Sequence, residues 1–298
     1  MAVLQTYQVK TNAEDLSEII TNITPDDTPL LSSLASTKAY NTLHETQQDS
    51  LQVPTGDDSA YVEGADFTAE DHVVPERVPT YTQILKKHVH VSDTQLAVRT
   101  VGIKDLYAYE TTKKMKELAM AIEWAGINGT GNSGASGQPR RMKGFLANIT
   151  TNHLSGTGTG GDVLTEGMFN DLLQAIWNNG GKNQSMYCGG ELKRQISGFT
   201  ASTTKTIDAN KKTAVAALDV YESDFGRVEL FAHRYMPAKT LMVIQNDLWA
   251  WAWLRKTKHT PLAKMGDSTR GQIVAEVALE SRQEKGNGKY TNVIRGVA

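Results

Sequence analysis

The sequence predicts an α+β fold, and three observations predict it. Helix-type and strand-type periodicities fall in separate blocks and do not alternate as strand–helix–strand units. One block, residues 102–125, keeps a helical apolar stripe for about seven turns. No internal period of about 20–50 residues marks a repeat architecture.

Composition bounds the classes. A chain of 298 residues suits one large domain or two ordinary ones. Hydrophobic residues make up 39%, with five Trp, ten Tyr and six Phe, so a sizeable core is available. The formal net charge of −2 and the pI near 6.4 lack the basic excess of a dedicated nucleic-acid binder. A single cysteine, Cys188, allows no intrachain disulfide and fits a reducing compartment. No run of about 18 apolar residues spans a membrane, and the start, MAVLQTYQVKTNAED, lacks the apolar stretch of a signal peptide. A soluble chain made in a cytoplasm is expected.

Thr11 to Glu14 form a T-x-x-E capping box, which predicts a helix from Asn12 to about Asn22 with Leu16, Ile19, Ile20 and Ile23 as its stripe. Pro25 ends it. Thr28 then caps a second short helix with Pro29 at its first position and Leu30, Leu31 and Leu34 on its apolar face. Helices this short are marginal alone in water, so they must dock on something.

Residues 45–76 carry nine acids (Glu45, Asp49, Asp57, Asp58, Glu63, Asp66, Glu70, Asp71 and Glu76) and no Lys or Arg. The stretch is too poor in apolar residues to form a core of its own. YVEG and VPTYTQILKKHVHV still have strand chemistry, with Val89 and Val91 alternating against His88 and His90. A long two-stranded arm projecting from the body fits both facts. An isolated hairpin is barely stable, so the arm too needs an external surface.

The strongest helix, 102–125, puts Ile103, Leu106, Tyr107, Met115, Leu118, Ile122 and Ala125 on one stripe, with Lys104, Lys113, Lys116, Glu117 and Glu123 mostly off it. Residues 126–144 read as a glycine-rich loop, 145–149 as a strand, and SGTGTGGD as a flexible run. Thr165 caps a helix with Phe169, Leu172, Leu173 and Ile176 inward. SMYC reads as a strand and Glu191–Phe199 as a helix. VELFAHRYM, TLMVIQ, DLWAWAW and QIVAEVALESRQEK read as strands, and Gly286–Gly288 as a turn before KYTNVI.

Chemical motifs are weak. GTGNSG (129–134) and GTGTGG (156–161) match G-x-G-x-x-G, but neither runs from a strand directly into a helix as a dinucleotide site requires. There is no G-K-[ST]. His88 and His90 lack a third metal ligand at a recognisable spacing, and the exposed face of a strand accounts for them. Cys188 reads as a buried small apolar residue. Trp249, Trp251 and Trp253 alternate, which suits a core or a subunit interface better than a sugar-stacking platform. Asp57–Asp58 reads as a solvated turn. No catalytic residue, cofactor site or metal site is assigned. The charge distribution says more. Residues 255–295 carry nine bases (Arg255, Lys256, Lys258, Lys264, Arg270, Arg282, Lys285, Lys289, Arg295) and four acids (Asp267, Glu276, Glu280, Glu284). An acidic arm and a basic body segment suggest docking between copies of the chain.

DLSEIITNITPDDTPLLSSL, NTLHETQQDSL, YVEGADF and RVPTYTQILKKHVHVSDT resemble the start of tailed-phage major capsid proteins of the Hong Kong 97 fold. IEWAGINGT…RRMKGF and LRKTKHTPLAKMGDS…VALESRQEKGNGKYTNV are similar to later parts of the same group. The order of the matches carries the resemblance, since each is structural. It implies an N-terminal arm (1–45), an extended E-loop (46–90), a peripheral domain with a long spine helix (91–162), an axial domain (163–254) and strands returning to the peripheral domain (255–298). It implies a structural, non-enzymatic subunit that self-assembles into pentamers and hexamers of a virion head enclosing double-stranded DNA. Assembly in the bacterial cytoplasm is implied, with the DNA a neighbour by non-specific proximity and scaffolding, portal and cement proteins as candidate partners. The long cleaved scaffolding region of some members is not seen here, so a separate scaffold or none is implied. Lys86, Lys87 and several asparagines are present, but no motif assigns them to the isopeptide crosslink of some members. The coreless arms then have a reason: each lies on a neighbour. Leu16, Ile19, Leu30 and Leu34, with Asp57, Asp58, Glu63 and Asp66, are the expected inter-subunit contacts. The alternative is an α+β nucleotide-dependent enzyme resting on the glycine matches.

Overall fold

The computed structural model describes residues 28–51, 62–66, 72–199 and 219–296. The expected helix at 12–22, with Leu16 and Ile19, and the acids Asp57 and Asp58 lie outside the described residues.

A short helix α1 (Pro29–Ser33) leads into β1 (Ala35–Lys38), and the ribbon strands β2 (Leu43–Gln48) and β3 (Glu76–Tyr81) follow. β4 (Gln83–Ser92), α2 (Asp93–Ala97) and the long α3 (Leu106–Asn128) come next, then β5 (Thr130–Asn132), β6 (Arg141–Lys143) and α4 (Phe145–Asn148). Pro29 sits at the start of α1 as expected, but the Thr28 hydroxyl makes no capping bond. α3 starts at Asp105, whose carboxylate accepts from the Ala108 N–H at 3.0 Å. It runs to Gly129, where an added Cβ would sit 2.5 Å from the carbonyls of Ala125 and Met142. Leu118, Ile122 and Ala125 are buried as predicted, whereas Met115 is 40% exposed. In that part of the helix the half-buried row is Tyr107, Thr111 and Lys114, which leaves Met115 at the rim.

β7 (His153–Ser155), β8 (Asp162–Val163), α5 (Glu166–Asn178), β9 (Ser185–Cys188), α6 (Gly190–Phe199), β10 (Val220–Ser223), β11 (Gly226–Ala232) and β12 (Thr240–Ile244) form the middle of the chain. The end is β13 (Trp249–Leu262), β14 (Ser268–Ser281), β15 (Gly288–Thr291) and β16 (Val293–Ile294). Two main sheets result, one ordered β1-β13-β14-β4 and one ordered β10-β11-β9-β12-β15-β7. Helices and sheets are segregated, as an α+β class requires.

The first core lies between α3 and the four-stranded sheet, where Val89, Ile273, Ala275, Val277 and Leu279 meet Leu118 and Ile122. Trp249 and Trp251 fill its centre and Trp253 is half-buried, so the tryptophan row is core. The Trp249 indole N–H donates to Asn287 Oδ1 at 2.9 Å. The second core lies under α5 and α6. Phe169, Leu172, Leu173 and Ile176 are all 0% exposed, and the Thr165 hydroxyl accepts from the Met168 N–H. The opposite face of that six-stranded sheet sends Tyr187, Met242 and Ile244 into the first core, so the two cores share a wall.

Four expectations need correction. The expected strand at 145–149 is instead the helix α4 with Ile149 as its C-cap, because a short apolar run fits either period; Phe145 packs on Trp249 with ring centroids 4.6 Å apart. The glycine-rich 126–144 contains the antiparallel pair β5–β6. SGTGTGGD is braced: Asp162 accepts from the N–H groups of Thr157 (2.8 Å) and Gly158 (3.0 Å), and Asn292 Nδ2 donates to the carbonyls of Gly156 and Gly158. The stretch 255–298 divides, with β14 pairing in the four-stranded sheet while β15 pairs with β12 and β7 and β16 with β8.

Candidate functional site

Two extended segments leave or enter the body, and their anchors define the candidate assembly site. The first is the start of the described chain, α1 and β1. α1 is too short to satisfy its own leading N–H groups. The Glu123 carboxylate does it from α3, accepting from Leu30 N–H and Leu31 N–H, each at 2.8 Å. His233 Nε2 lies 2.9 Å from the same carboxylate. Its Nδ1 accepts the Tyr235 N–H at 3.1 Å, which puts the ring proton on Nε2 and makes it the donor to Glu123. The Trp251 indole N–H donates to the Leu30 carbonyl at 3.1 Å. β1 then pairs in parallel with β13, Ala35 opposite Ala250 and Lys38 opposite Trp253.

This corrects the expectation for two residues. Leu30 is 0% and Leu34 7% exposed, both inside the subunit's own core. Their apolar face is spent at home on α3, so they are not free to meet a neighbour. Sequence reasoning missed Glu123 and His233. Glu123 looked like a surface residue of a charged helix, and its partner Leu30 lies 93 positions away.

The second segment is the β2–β3 ribbon. Its root rests on the face of β14 turned away from α3. Thr37 Oγ1 donates to Glu280 at 2.7 Å, and His44 Nε2 lies 3.1 Å from the same carboxylate. Arg282 Nε adds a third bond at 3.0 Å. Burial pushes the Glu280 carboxyl up, but the bonds from Thr37, Arg282 and His44 more than reverse this and hold it below the usual carboxylate range. Thr46 Oγ1 and Gln48 Nε2 both donate to the Ser281 carbonyl. Beside them Glu276, 3% exposed, accepts from Thr82 (2.9 Å), Arg140 (2.6 Å) and Arg255 (2.8 Å).

Beyond Gln48 and Glu76 every described residue of the ribbon is exposed. Leu51 is 93%, Val62 81% and Val74 80% exposed, and Glu63 and Asp66 are exposed with them. The expected long arm is therefore shorter at its far end than the span 46–90: β4 is a body strand, paired along its length with β14. His88 and His90 lie on the exposed face of that strand.

The chemistry of an enzyme finds no support in these groups. In the 156–161 glycine loop the Thr157 and Gly158 amides are spent on the Asp162 carboxylate and those of Gly156 and Gly161 on the carbonyls of Thr291 and Gly158, and a carboxylate already occupies the place a phosphate would need. GTGNSG lies in the β5–β6 hairpin, where Asn132 takes the Gly134 N–H. Cys188 is buried, and burial pushes its thiol up to about 12. No cluster of three His, Cys, Asp or Glu suited to a metal occurs among the described residues.

The comparisons agree with this picture. The major capsid protein of Escherichia phage Phieco32 is 23% identical over 322 residues, covering 90% of this chain and 91% of that one. The capsid asymmetric unit of cyanophage A-1(L) superposes with a TM-score of 0.74 at 11% identity, over 97% of this chain and 98% of that chain. A structure from Mycobacterium phage Adephagia superposes with a TM-score of 0.63 at 13% identity, over 100% and 99%. The fold is thus the Hong Kong 97-like capsid fold. Residues 3–293 match the SU10 major capsid protein family. The chain belongs to that family, and it is a structural phage capsid protein, a builder of shells and not an enzyme.

Proposed function

We propose that this chain closes a head shell by laying its arms on neighbouring copies within pentamers and hexamers. The acidic β2–β3 ribbon acts as the extended loop, and the segment before α1 acts as the N-terminal arm. The four-stranded sheet with α3 serves as the peripheral body, and the six-stranded sheet with α5 and α6 as the axial body. Double-stranded DNA fills the shell as a non-specific neighbour, while scaffolding, portal and cement proteins are candidate partners. Assembly takes place in the bacterial cytoplasm. Of the expected contact residues, Leu16, Ile19, Asp57, Asp58, Glu63 and Asp66 remain in this role.

One observation carries the reading. The ribbon leaves the body with Leu51, Val62 and Val74 all at least 80% exposed. Burying one such side chain contributes about 1.5–3 kcal/mol, which a lone subunit forgoes and a neighbour recovers. The test is a variant in which residues 49–75 are replaced by Asn-Gly. Gln48 and Glu76 face each other across the ribbon, so a two-residue turn joins them without disturbing the register. The variant is expected to fold, by circular dichroism, and to form no closed shells by electron microscopy. Normal shells from it would refute the reading.

A further inference from the structure

Among the described residues the chain passes between the two main sheets at three short crossings. Residues 149–152 lead from α4 to β7, 245–248 from β12 to β13, and 282–287 from β14 to β15. Asn287, 0% exposed, stands in the last crossing and binds the other two. Its Oδ1 accepts from the Gln245 N–H and from the Trp249 indole N–H, each at 2.9 Å. Its Nδ2 donates to the Gln283 carbonyl at 2.8 Å, which fixes the plane of the amide. Its main-chain carbonyl accepts from Asn152 Nδ2 in the first crossing at 2.9 Å. Asn152 Nδ2 also donates to the Lys285 carbonyl at 2.7 Å, and Asn152 Oδ1 accepts from Asn179 at the end of α5. At the solvent edge Glu284 takes the N–H groups of Thr150 (3.0 Å) and Thr151 (3.2 Å), and the Arg282 N–H donates to the Leu248 carbonyl. Gly286 allows the close approach, since a Cβ there would lie 2.5 Å from Leu248 Cδ1.

We propose that Asn287 is a positioning residue that sets the angle between the two bodies, and through that angle the curvature of the shell. The first argument is connectivity: one residue ties all three crossings together. The second is direction. The wall shared by the two cores, with Tyr187, Met242 and Ile244 on it, is apolar contact, which is non-directional and lets packed faces shear. Hydrogen bonds weaken steeply when bent, so the polar joint fixes what the wall leaves free. The Glu123–His233 bond also spans the wall, but it ends on the loop after β11, outside the three crossings. The third argument is spare capacity. Asn246 Oδ1, Ser281 Oγ and Gln283 Oε1 are buried in or beside the crossings with no partner among the described residues. Such unspent groups offer the joint other bonds if it turns.

The inference rests on the reading of pentamers and hexamers above. One chain then serves two kinds of cluster, and the inclination of its bodies decides whether the contacts close and at what size. Asn287 is buried, so it acts on neighbours only through the placement of the two bodies.

Wild type, N287A, E284A and G126A are assembled as full chains and their shells measured by electron microscopy. Circular dichroism establishes folding, and amide exchange reads the joint. G126A loosens the subunit at α3, outside the joint, and is the control for plain destabilisation. In N287A, exchange in residues 245–249 and 282–287 is expected to rise by up to about tenfold, which the loss of one hydrogen bond allows. Residues 169–176 of α5 should keep their wild-type protection. The shells are expected to lose the single wild-type diameter and to spread over several sizes, with open fragments among them. E284A should shift the same way and less, while G126A gives fewer shells of unchanged diameter. N287A shells of the wild-type diameter overturn the proposal. So does a spread that G126A reproduces, because it then follows stability and not angle. If N287A does not fold or forms no shells, E284A decides alone, and the wild-type diameter from it overturns the proposal. Failure of the underlying reading looks different: wild-type shells without five-fold and six-fold clusters.

Discussion

Glu123 and His233 share a 2.9 Å hydrogen bond inside the subunit, where Glu123 is 0% and His233 4% exposed. The same carboxylate takes the Leu30 and Leu31 N–H groups, so one side chain ties α3 to α1 and to the segment after β11. Removing it leaves two buried donors and the half-buried Leu31 N–H unpaired. Glu123→Ala is expected to cost about 3–5 kcal/mol, since each donor left unsatisfied costs about 1–3 kcal/mol. Glu123→Gln, which keeps one acceptor oxygen, should cost about 1–3 kcal/mol. Denaturant unfolding of the unassembled subunit measures both, and the order Ala worse than Gln is the diagnostic result.

Gly126 makes the close crossing of α3 over β13. A Cβ there would lie 2.4 Å from the Trp251 ring. Alanine is the better helix former by about 1 kcal/mol, yet Gly126→Ala is expected to destabilise by about 1–3 kcal/mol through overpacking. A melting temperature above wild type would show that Trp251 gives way freely.

Acid should loosen the ribbon before the body. Glu280 ionises more readily folded than unfolded, because Thr37, Arg282 and His44 outweigh its burial. Such a carboxylate contributes its stability above its ordinary value of 4.5 and loses it as pH falls through the lower folded value. Amide exchange in residues 43–48 and 76–81 is therefore expected to be flat from about pH 7 to about pH 5 once the intrinsic rate is removed, and to quicken below. In Glu280→Gln that step should disappear.

Cys188 should be chemically silent. Its thiol is pushed up to about 12 by burial in the second core, so the thiolate is scarce at neutral pH. Iodoacetamide at pH 8 is expected to leave it unmodified in the folded subunit and to label it in denaturant, read by mass spectrometry.

Periodic elements were legible in the sequence because their signals are local. The stripe of Phe169, Leu172, Leu173 and Ile176, its Thr165 cap and the alternating Trp249–Trp251–Trp253 all report the face they bury. The poverty of residues 45–76 in apolar groups agrees with the exposure of the described residues beyond Gln48, Leu51, Val62 and Val74 among them. What failed was set at long range. Leu30 and Leu34 look the same in sequence whether they dock on a neighbour or on α3 of their own chain. Residues 145–149 are too short a run for periodicity to tell helix from strand. The brace of Asn292 on the glycine loop comes from 136 and 134 positions away, so the loop read as flexible.

The central claim is that the acidic arm belongs to a neighbour. Cryo-electron microscopy of shells assembled from the full chain tests it most directly, by tracing the arm from Gln48 outward. The account predicts closed shells in which each arm leaves its own body past Ser281 and lies on the adjacent subunit. An arm folded back along its own sheet, in shells that close all the same, would contradict it.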